Sequence, residues 1–419
     1  MHSETSKRTQ IINSILLFAV ITNTLLVTIK VLGLGYIKSF RIILCAELLV
    51  VSLIIINGLL SGSKITIRGA DKLAIAACGA LALYTAVSDI FVDKPFRFSG
   101  ITTFVVLLLF GCAYRDKAGS QAIMKAFETA VQWFLVLLIV LSVISRNVTV
   151  DGRFSGPISN PSIYALYLGG IWAVLLGSLE SHLNNKSSAV KKGITVIEML
   201  IVLMLTLLSQ SLTPLIAMVM VSALWVFRRI AAGKGVRSAV RILVICSLIG
   251  TVCLAVLIII ARSGSTVSSS RLLAKFQQAT LSDFVSGRDI FWRTYFRKMN
   301  LLGHGKKPLL WGQRVNPHNA LVGIMYMYGV PCVIPYILMW IMAIEKSYRY
   351  ADRYTPYAAV PLYSIVSFAV MGIADNVEQP FVWLPWIAAY LMMAPVLVMP
   401  VKEIEKRGNS DNIESEAIR

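Results

Sequence analysis

Charge is scarce in this chain. Only 15 % of its residues are Asp, Glu, Lys or Arg, where a soluble domain carries about 25 %. Acidic residues are the scarcer half, 21 against 40 basic ones. Histidine occurs only as His2, His182, His304 and His318. The six cysteines, Cys45, Cys78, Cys112, Cys246, Cys253 and Cys332, lie inside apolar stretches without CxxC spacing or a nearby histidine. That excludes a disulfide framework and a metal site encoded by cysteine spacing. No polar run is long enough for a soluble domain. What fills the chain is apolar: 57 % of residues are hydrophobic and the mean hydropathy is +0.72. The sequence is that of a polytopic membrane protein, and its net charge of +19 reads as topology before nucleic-acid binding.

A helical span needs about 20 mostly apolar residues. Twelve candidates occur, at 11–30, 40–60, 72–91, 100–114, 126–145, 161–179, 194–209, 211–228, 239–262, 318–344, 357–375 and 380–400. The expected fold class is all-α integral membrane, with one polytopic domain over 1–400 and a polar tail over 401–419. The first run is longer than a signal-peptide core and no small-x-small cleavage site follows it, so it is expected to stay as a span. Spans seven and eight are separated by little more than SQSLTP, so Pro214 marks a tight turn or a broken helix.

Lys and Arg fall in alternate connections. Lys7, Arg8, Lys64, Arg68, Lys191, Lys192, Arg228, Arg229, Lys346 and Arg349 share one side, and the short loops of the other side are poor in cations. The positive-inside rule then puts both termini in the cytoplasm and the chain in the cell membrane as a multi-pass protein. One outer loop, 263–317 between spans nine and ten, is large and basic; with Arg262 at its edge there are ten cations from Arg262 to Arg314. Long loops cross regardless of charge. Within it SGRDIFWRTYFRKMNLL, residues 286–302, has helical periodicity: Phe291, Tyr295 and Leu302 on one face, Asp289, Arg293 and Arg297 on another. Such a helix is expected in the membrane interface, aromatic side down.

In this topology His318 stands at the outer surface where span ten begins, with Arg288, Arg293, Arg297, Lys306, Lys307 and Arg314 on the same side. Cations there attract diphosphates, and a neutral imidazole takes a proton from a hydroxyl. Together they suit transfer of a group from a lipid diphosphate to a hydroxyl. The bland reading is a polar helix cap shared with Asn316 or Asn319. His304, between two glycines, is an alternative base or a plain turn residue; His2 and His182 read as solvated. Glu47 and Asp89 fall within spans and are expected to pair with Arg41, Lys94 or Arg97. Trp292, Trp311, Trp383 and Trp386 suit an interfacial belt first and sugar stacking second.

Three stretches carry a resemblance: GRFSGPISNPSIYALYLGG (152–170), SGRDIFWRTYFRKMNLLGHG (286–305) and NPHNALVGIMYMYGVPC (316–332). They are similar to the O-antigen ligase and polymerase superfamily of bacterial membrane glycosyltransferases, over a region of about 150–345. The matching positions are Arg153-Phe154-Ser155-Gly156 with Asn160-Pro161, Gly287-Arg288 with Trp292, Gly303 and Gly305, and His318-Asn319 with Gly329. The resemblance implies a GT-C-like fold and an undecaprenyl-diphosphate-linked glycan as donor, transferred with inversion to an acceptor hydroxyl without cofactor or metal. It makes His318 the general base, or the group that orients the acceptor, and Arg288 the diphosphate ligand. Arg153, Asn160, Trp292 and Asn319 become substrate contacts, joined by Arg293 and Arg314 from the cationic loop. A glycan or lipid acceptor, the bilayer, a flippase and a chain-length regulator are the implied partners. The chain departs from the ligase pattern at Leu212, where an arginine is expected. Either Arg262, Arg271 or Arg153 substitutes, or the chain handles its donor differently, or it is a divergent or inactive member; the departure favours polymerase over ligase. The rival class is a polysaccharide flippase or other secondary transporter. The lack of an internal repeat counts against it.

Overall fold

The computed structural model describes residues 2–28, 36–61, 65, 69–92, 99–145, 148–149, 152–158, 160–185, 187–231, 288–304, 308–310, 312–352, 357–374, 387–402 and 404. The expected ninth span, the loop up to 287 and the tail beyond 404 lie outside these residues. Among the described residues the chain is helical apart from one short ladder. The helices are α1 (His2–Thr28), α2 (Tyr36–Leu60), α3 (Lys72–Phe91), α4 (Ser99–Tyr114), α5 (Lys117–Ser145), α6 (Pro161–Asn184), α7 (Ala189–Ser209) and α8 (Leu212–Ala231). After the gap come α9 (Arg288–Lys298), an antiparallel pair β1 (Leu309–Leu310) and β2 (Gln313–Arg314), then α10 (Ala320–Tyr328), α11 (Val333–Ala351), α12 (Ala359–Ala374) and α13 (Ile387–Val398).

Among the described residues six stretches are long and apolar enough to cross a membrane: Lys72–Phe91, Ala118–Ser145, Pro161–Asn184, Ala189–Ser209, Leu212–Ala231 and Val330–Ala351. Shorter apolar helices at Cys45–Leu60, Gly100–Tyr114, Ala359–Ala374 and Ala388–Val398 pack among them. Several outer faces are apolar, as at Val136, Val140, Val143 and Ile144 of α5, or Ile334, Ile337 and Ile341 of α11. Exposed aliphatics at helical spacing suit a lipid surround and would be a liability in water. The chain is therefore a multi-pass membrane protein.

The centre of the bundle is α6, buried almost continuously from Tyr164 to His182. Its partner is α12, and the two run antiparallel: Gly169 abuts Met371, and Gly177 abuts Val360. Small residues let the backbones approach, which is how helices associate where lipid removes the hydrophobic drive. The bundle has two distinguishable ends. At the basal end Lys346 of α11 bridges to Asp71, the N-cap of α3, at 2.8 Å and donates to the Leu397 carbonyl of α13 at 2.6 Å. Asn13 donates to Tyr114 there, and Ser120 bonds Tyr350. The opposite end, the crown, holds the starts of α6, α8 and α10, the ends of α3, α7 and α12, and all of α9. Of the cations that the charge rule assigns to one side, Arg228, Arg229, Lys346 and Arg349 lie towards the basal end, and Lys64 and Arg68 lie outside the described residues.

Three local expectations meet a clear answer. The SQSLTP link is a tight turn: Gln210 caps α7 in the left-handed region at φ 52°, and α8 starts at Leu212. Pro214 sits in the first turn of α8, where its missing N–H has no intrahelical partner to lose. The expected tenth span is interrupted: α10 ends at Gly329, a 3-10 turn covers Val330–Cys332, and α11 follows. His182 is not solvated. It is buried, with Nε2 3.3 Å from the buried carboxylate of Glu128.

Gly329 explains that interruption. Its φ is 104° with ψ 152°, a region essentially restricted to glycine. A Cβ there would run into the Leu301 carbonyl, and one on Gly303 would meet the Met327 carbonyl. The two glycines let the 299–304 segment lie against the break between α10 and α11. Gly329→Ala should therefore cost at least about 1–3 kcal/mol from conformation alone. A lowered thermal unfolding midpoint in detergent would register it, and an unchanged midpoint would show that the segment does not need the close approach.

Candidate functional site at the crown

The crown is assembled by capping. The last carbonyls of a helix have no intrahelical donor. At the end of α12 they are met from two sides: the Arg288 guanidinium donates to the Ala374 carbonyl, and Asn319 Nδ2 donates to the neighbouring Ile373 carbonyl at 2.9 Å. Asn319 is also the N-cap of α10, its Oδ1 accepting from the Val322 amide at 3.0 Å. One side chain thus fixes the start of one helix to the end of another.

Trp292 stands one turn after Arg288 on α9, at the i, i+4 spacing that shares a face. A half-buried indole N–H needs an acceptor, and Trp292 Nε1 finds the Pro317 carbonyl at 2.6 Å. Pro317 directly precedes His318. The result is a closed circuit from Arg288 to Trp292, Pro317, His318, Asn319, Ile373, Ala374 and back to Arg288. Below it the buried Tyr295 donates to the Val315 carbonyl at 2.7 Å and packs edge-on against Tyr326, with centroids 4.5 Å apart. The aromatic side of α9 therefore rests on α10 and the strand leading to it. The expectation of an aromatic face turned to lipid is corrected, because Tyr295 and Trp292 find backbone acceptors that lipid cannot provide.

His318 is half-buried and has φ +50°. Left-handed backbone is uncommon for a non-glycine residue, though histidine tolerates it better than most. Both neighbours are held, Pro317 through its carbonyl and Asn319 through its side chain, so the surroundings impose the conformation. Strain over-determined in this way is a feature of functional positions.

His304 has a different character. Its ring stacks on Tyr326 at 4.3 Å, its amide donates to the Tyr326 carbonyl at 2.8 Å, and its Nε2 meets the Lys298 carbonyl. A carbonyl only accepts, so Nε2 carries the proton. This imidazole holds the segment between α9 and β1 in place.

The remaining expected site residues divide. Arg153 joins the crown from another direction: its Nε donates to the Ser209 carbonyl at 3.0 Å and its Nη2 to Ser162 Oγ at 3.2 Å. The Phe154 amide donates to the Leu208 carbonyl at 3.1 Å. The loop before α6 is thus folded over the α7–α8 turn, and the carbonyl that Arg153 bonds, Ser209, lies three residues before Leu212. Arg262 and Arg271 lie outside the described residues. Asn160 is the N-cap of α6, accepting from the amides of Ser162 and Ile163 at 2.9 and 3.4 Å. That is a structural task. Arg293 is exposed, on the face of α9 turned away from Arg288 and Trp292. Arg314 lies in β2.

Two buried polar clusters escaped the sequence reading, both towards the basal end. Arg228 bridges Glu180 at 3.3 Å and Asp352 at 3.0 Å and donates to Tyr363 at 3.0 Å. Glu128 meets His182, as above. A glutamate inside an apolar span (Glu128) or at its very end (Glu180) was the signal for both. Glu47 is different again: it is fully buried, and neither carboxylate oxygen has a hydrogen-bond partner among the described residues. No group of three or more His, Cys, Asp and Glu that could hold a metal occurs among the described residues. Neither the models of known protein families nor the curated proteins contain a match to this chain.

Proposed function

We propose that the chain is a membrane glycosyltransferase that moves a glycan from an undecaprenyl-diphosphate donor to an acceptor hydroxyl at the crown. The observation that carries this reading is the closed circuit that brings Arg288 and His318 to one corner of α12. It supplies a fixed guanidinium and an imidazole at one end of a lipid-facing bundle. In the reaction the acceptor hydroxyl attacks the anomeric carbon and its proton passes to His318. The bond from that carbon to the diphosphate oxygen breaks with inversion. The negative charge gathering on the leaving diphosphate is met by Arg288, whose five N–H donors suit bidentate contact with phosphate oxygens. The positive pole at the start of α10 adds to that field. Arg153 at the α7–α8 turn is the cation placed to serve where Leu212 cannot.

The wider reading is a twelve-span, GT-C-like protein of the cell membrane with cytoplasmic termini. The crown then faces outward, where a flippase delivers donor and a chain-length regulator governs product. Polymerase is preferred to ligase because of Leu212.

Purified protein in lipid, given a lipid-diphosphate glycan and acceptor, should yield extended or relocated glycan together with free undecaprenyl diphosphate. Arg288→Lys should lose most of this activity, since an ammonium cannot reproduce a planar bidentate contact. Full activity of that variant would reduce Arg288 to a point charge. Movement of the intact donor across the bilayer without any glycan transfer would point to the transporter class instead.

A further inference from the structure

We infer that the outward face of α9, carrying Arg293, Arg297 and Lys298 with Ile290 and Phe296, is, together with Leu301 and Leu302 of the segment after it, a docking surface for the anionic headgroups of the bilayer. It does not depend on the glycosyltransferase reading. Its starting point is depth. Tyr84 donates to the Leu301 carbonyl and Ser88 to the Leu302 carbonyl. On α3, which ends at Phe91, these residues stand seven and three positions before the end. At 1.5 Å per residue the segment after α9 lies about 5–10 Å below the top of that helix.

The top of α3 is itself apolar: Ile90 and Phe91 are exposed at 62 % and 71 %. The apolar belt therefore reaches at least that height. Leu301, exposed at 69 %, then lies at the boundary between headgroups and acyl chains, the depth at which amphipathic helices settle.

The second observation is the pattern of the outward face. On α9 the inward arc is Arg288, Phe291, Trp292 and Tyr295, and its hydrogen bonds go to protein. Arg293, Arg297 and Lys298 are exposed on the remaining arc, beside Ile290 and Phe296 at 44 % and 54 %. Apolar groups entering the boundary and cations just above it complement an anionic lipid surface, at about 1 kcal/mol per Lys or Arg. Snorkelling lets the long cationic side chains keep their heads at the phosphate level. The helix that carries Arg288 and Trp292 is thus clamped between protein on one face and lipid phosphates on the other.

The test uses the full chain in nanodiscs of phosphatidylcholine alone and of phosphatidylcholine mixed equally with phosphatidylglycerol. Amide hydrogen exchange over 290–302 is the readout, with the amides of α6 as a control of folding. Exchange in the mixed discs should be slower by at least about fivefold, the factor matching about 1 kcal/mol. The triple variant Arg293→Gln, Arg297→Gln, Lys298→Gln should erase that difference. Leu301→Asn should speed exchange in both lipids, because it removes the apolar insertion and leaves the charges. Equal exchange of the native chain in the two lipids overturns the proposal. So does protection produced in phosphatidylcholine discs by inorganic phosphate, which would mark a phosphate site instead of a lipid surface. Protection that grows with protein concentration would assign the face to a second copy of the chain and overturn it equally.

Discussion

Replacing His318 by asparagine should leave the bundle folded and lower glycan transfer by about 10²–10⁴-fold, the usual contribution of a positioned general base. Asparagine is the informative choice because it tolerates left-handed backbone, as position 318 requires at φ +50°. It keeps a polar side chain while removing the proton acceptor. His318→Gly sharpens the point. It should raise the unfolding midpoint slightly, by relieving a left-handed cost of about 1–2 kcal/mol, and still lose activity. Turnover of a lipid-diphosphate glycan by each variant, read beside its thermal unfolding, separates the two effects. Near-normal turnover in His318→Asn would leave the imidazole with no chemical task and reduce residues 317–319 to a helix cap.

The second large effect lies at the basal end. The Lys346 side chain is 2 % exposed, and its ammonium is held by Asp71 at 2.8 Å and the Leu397 carbonyl at 2.6 Å. Asp71→Asn leaves a buried ammonium without its counter-charge, which costs about 3–5 kcal/mol. Adding Lys346→Met should restore much of the loss, since an apolar pair of similar volume is often as stable as a buried ion pair. Acid should mimic the single variant. Burial pushes the Asp71 carboxyl up, but the hydrogen bond and charge of Lys346 and the amides of Ala74 and Leu73 outweigh it and hold it below its ordinary value. A depressed carboxylate gives stability that is fully present above its unfolded pKa, about 3.9. That stability is lost as pH falls through the folded value. The gap between native chain and Asp71→Asn should be wide at neutral pH and close below about pH 4. A gap that stays constant across that range would mean Asp71 stabilises α3 only as a neutral cap.

Hydropathy and charge periodicity were enough to expect a helical membrane chain. Apolar runs such as Pro161–Asn184 and Leu212–Ala231 need no knowledge of their neighbours, because every backbone group is satisfied within the helix. The alternation of basic connections predicts which helix ends share a side, and Arg228, Lys346 and Arg349 do share one. The turn at SQSLTP was legible for the same reason: proline and polar residues act locally.

The break at Gly329 was not legible as a break. Pro331 marks a local irregularity in GIMYMYGVPC, but nothing there tells that Gly329 admits the Leu301 carbonyl 28 positions earlier. His182 was misjudged in the same way. Position at a span end suggests solvent, while Glu128 on another helix makes burial tolerable.

What the sequence determined by itself is what lipid and local backbone chemistry dictate: the helices, their alternation, and a stretch pairing arginine with histidine. What only the tertiary structure decided is which carbonyls and carboxylates those cations meet. Arg288 reaches Ala374 across 86 positions, and Asn319 reaches Ile373 across 54. Contacts at that range depend on how the helices pack, and packing in a membrane turns on small residues such as Gly169 and Gly177, which hydropathy does not register.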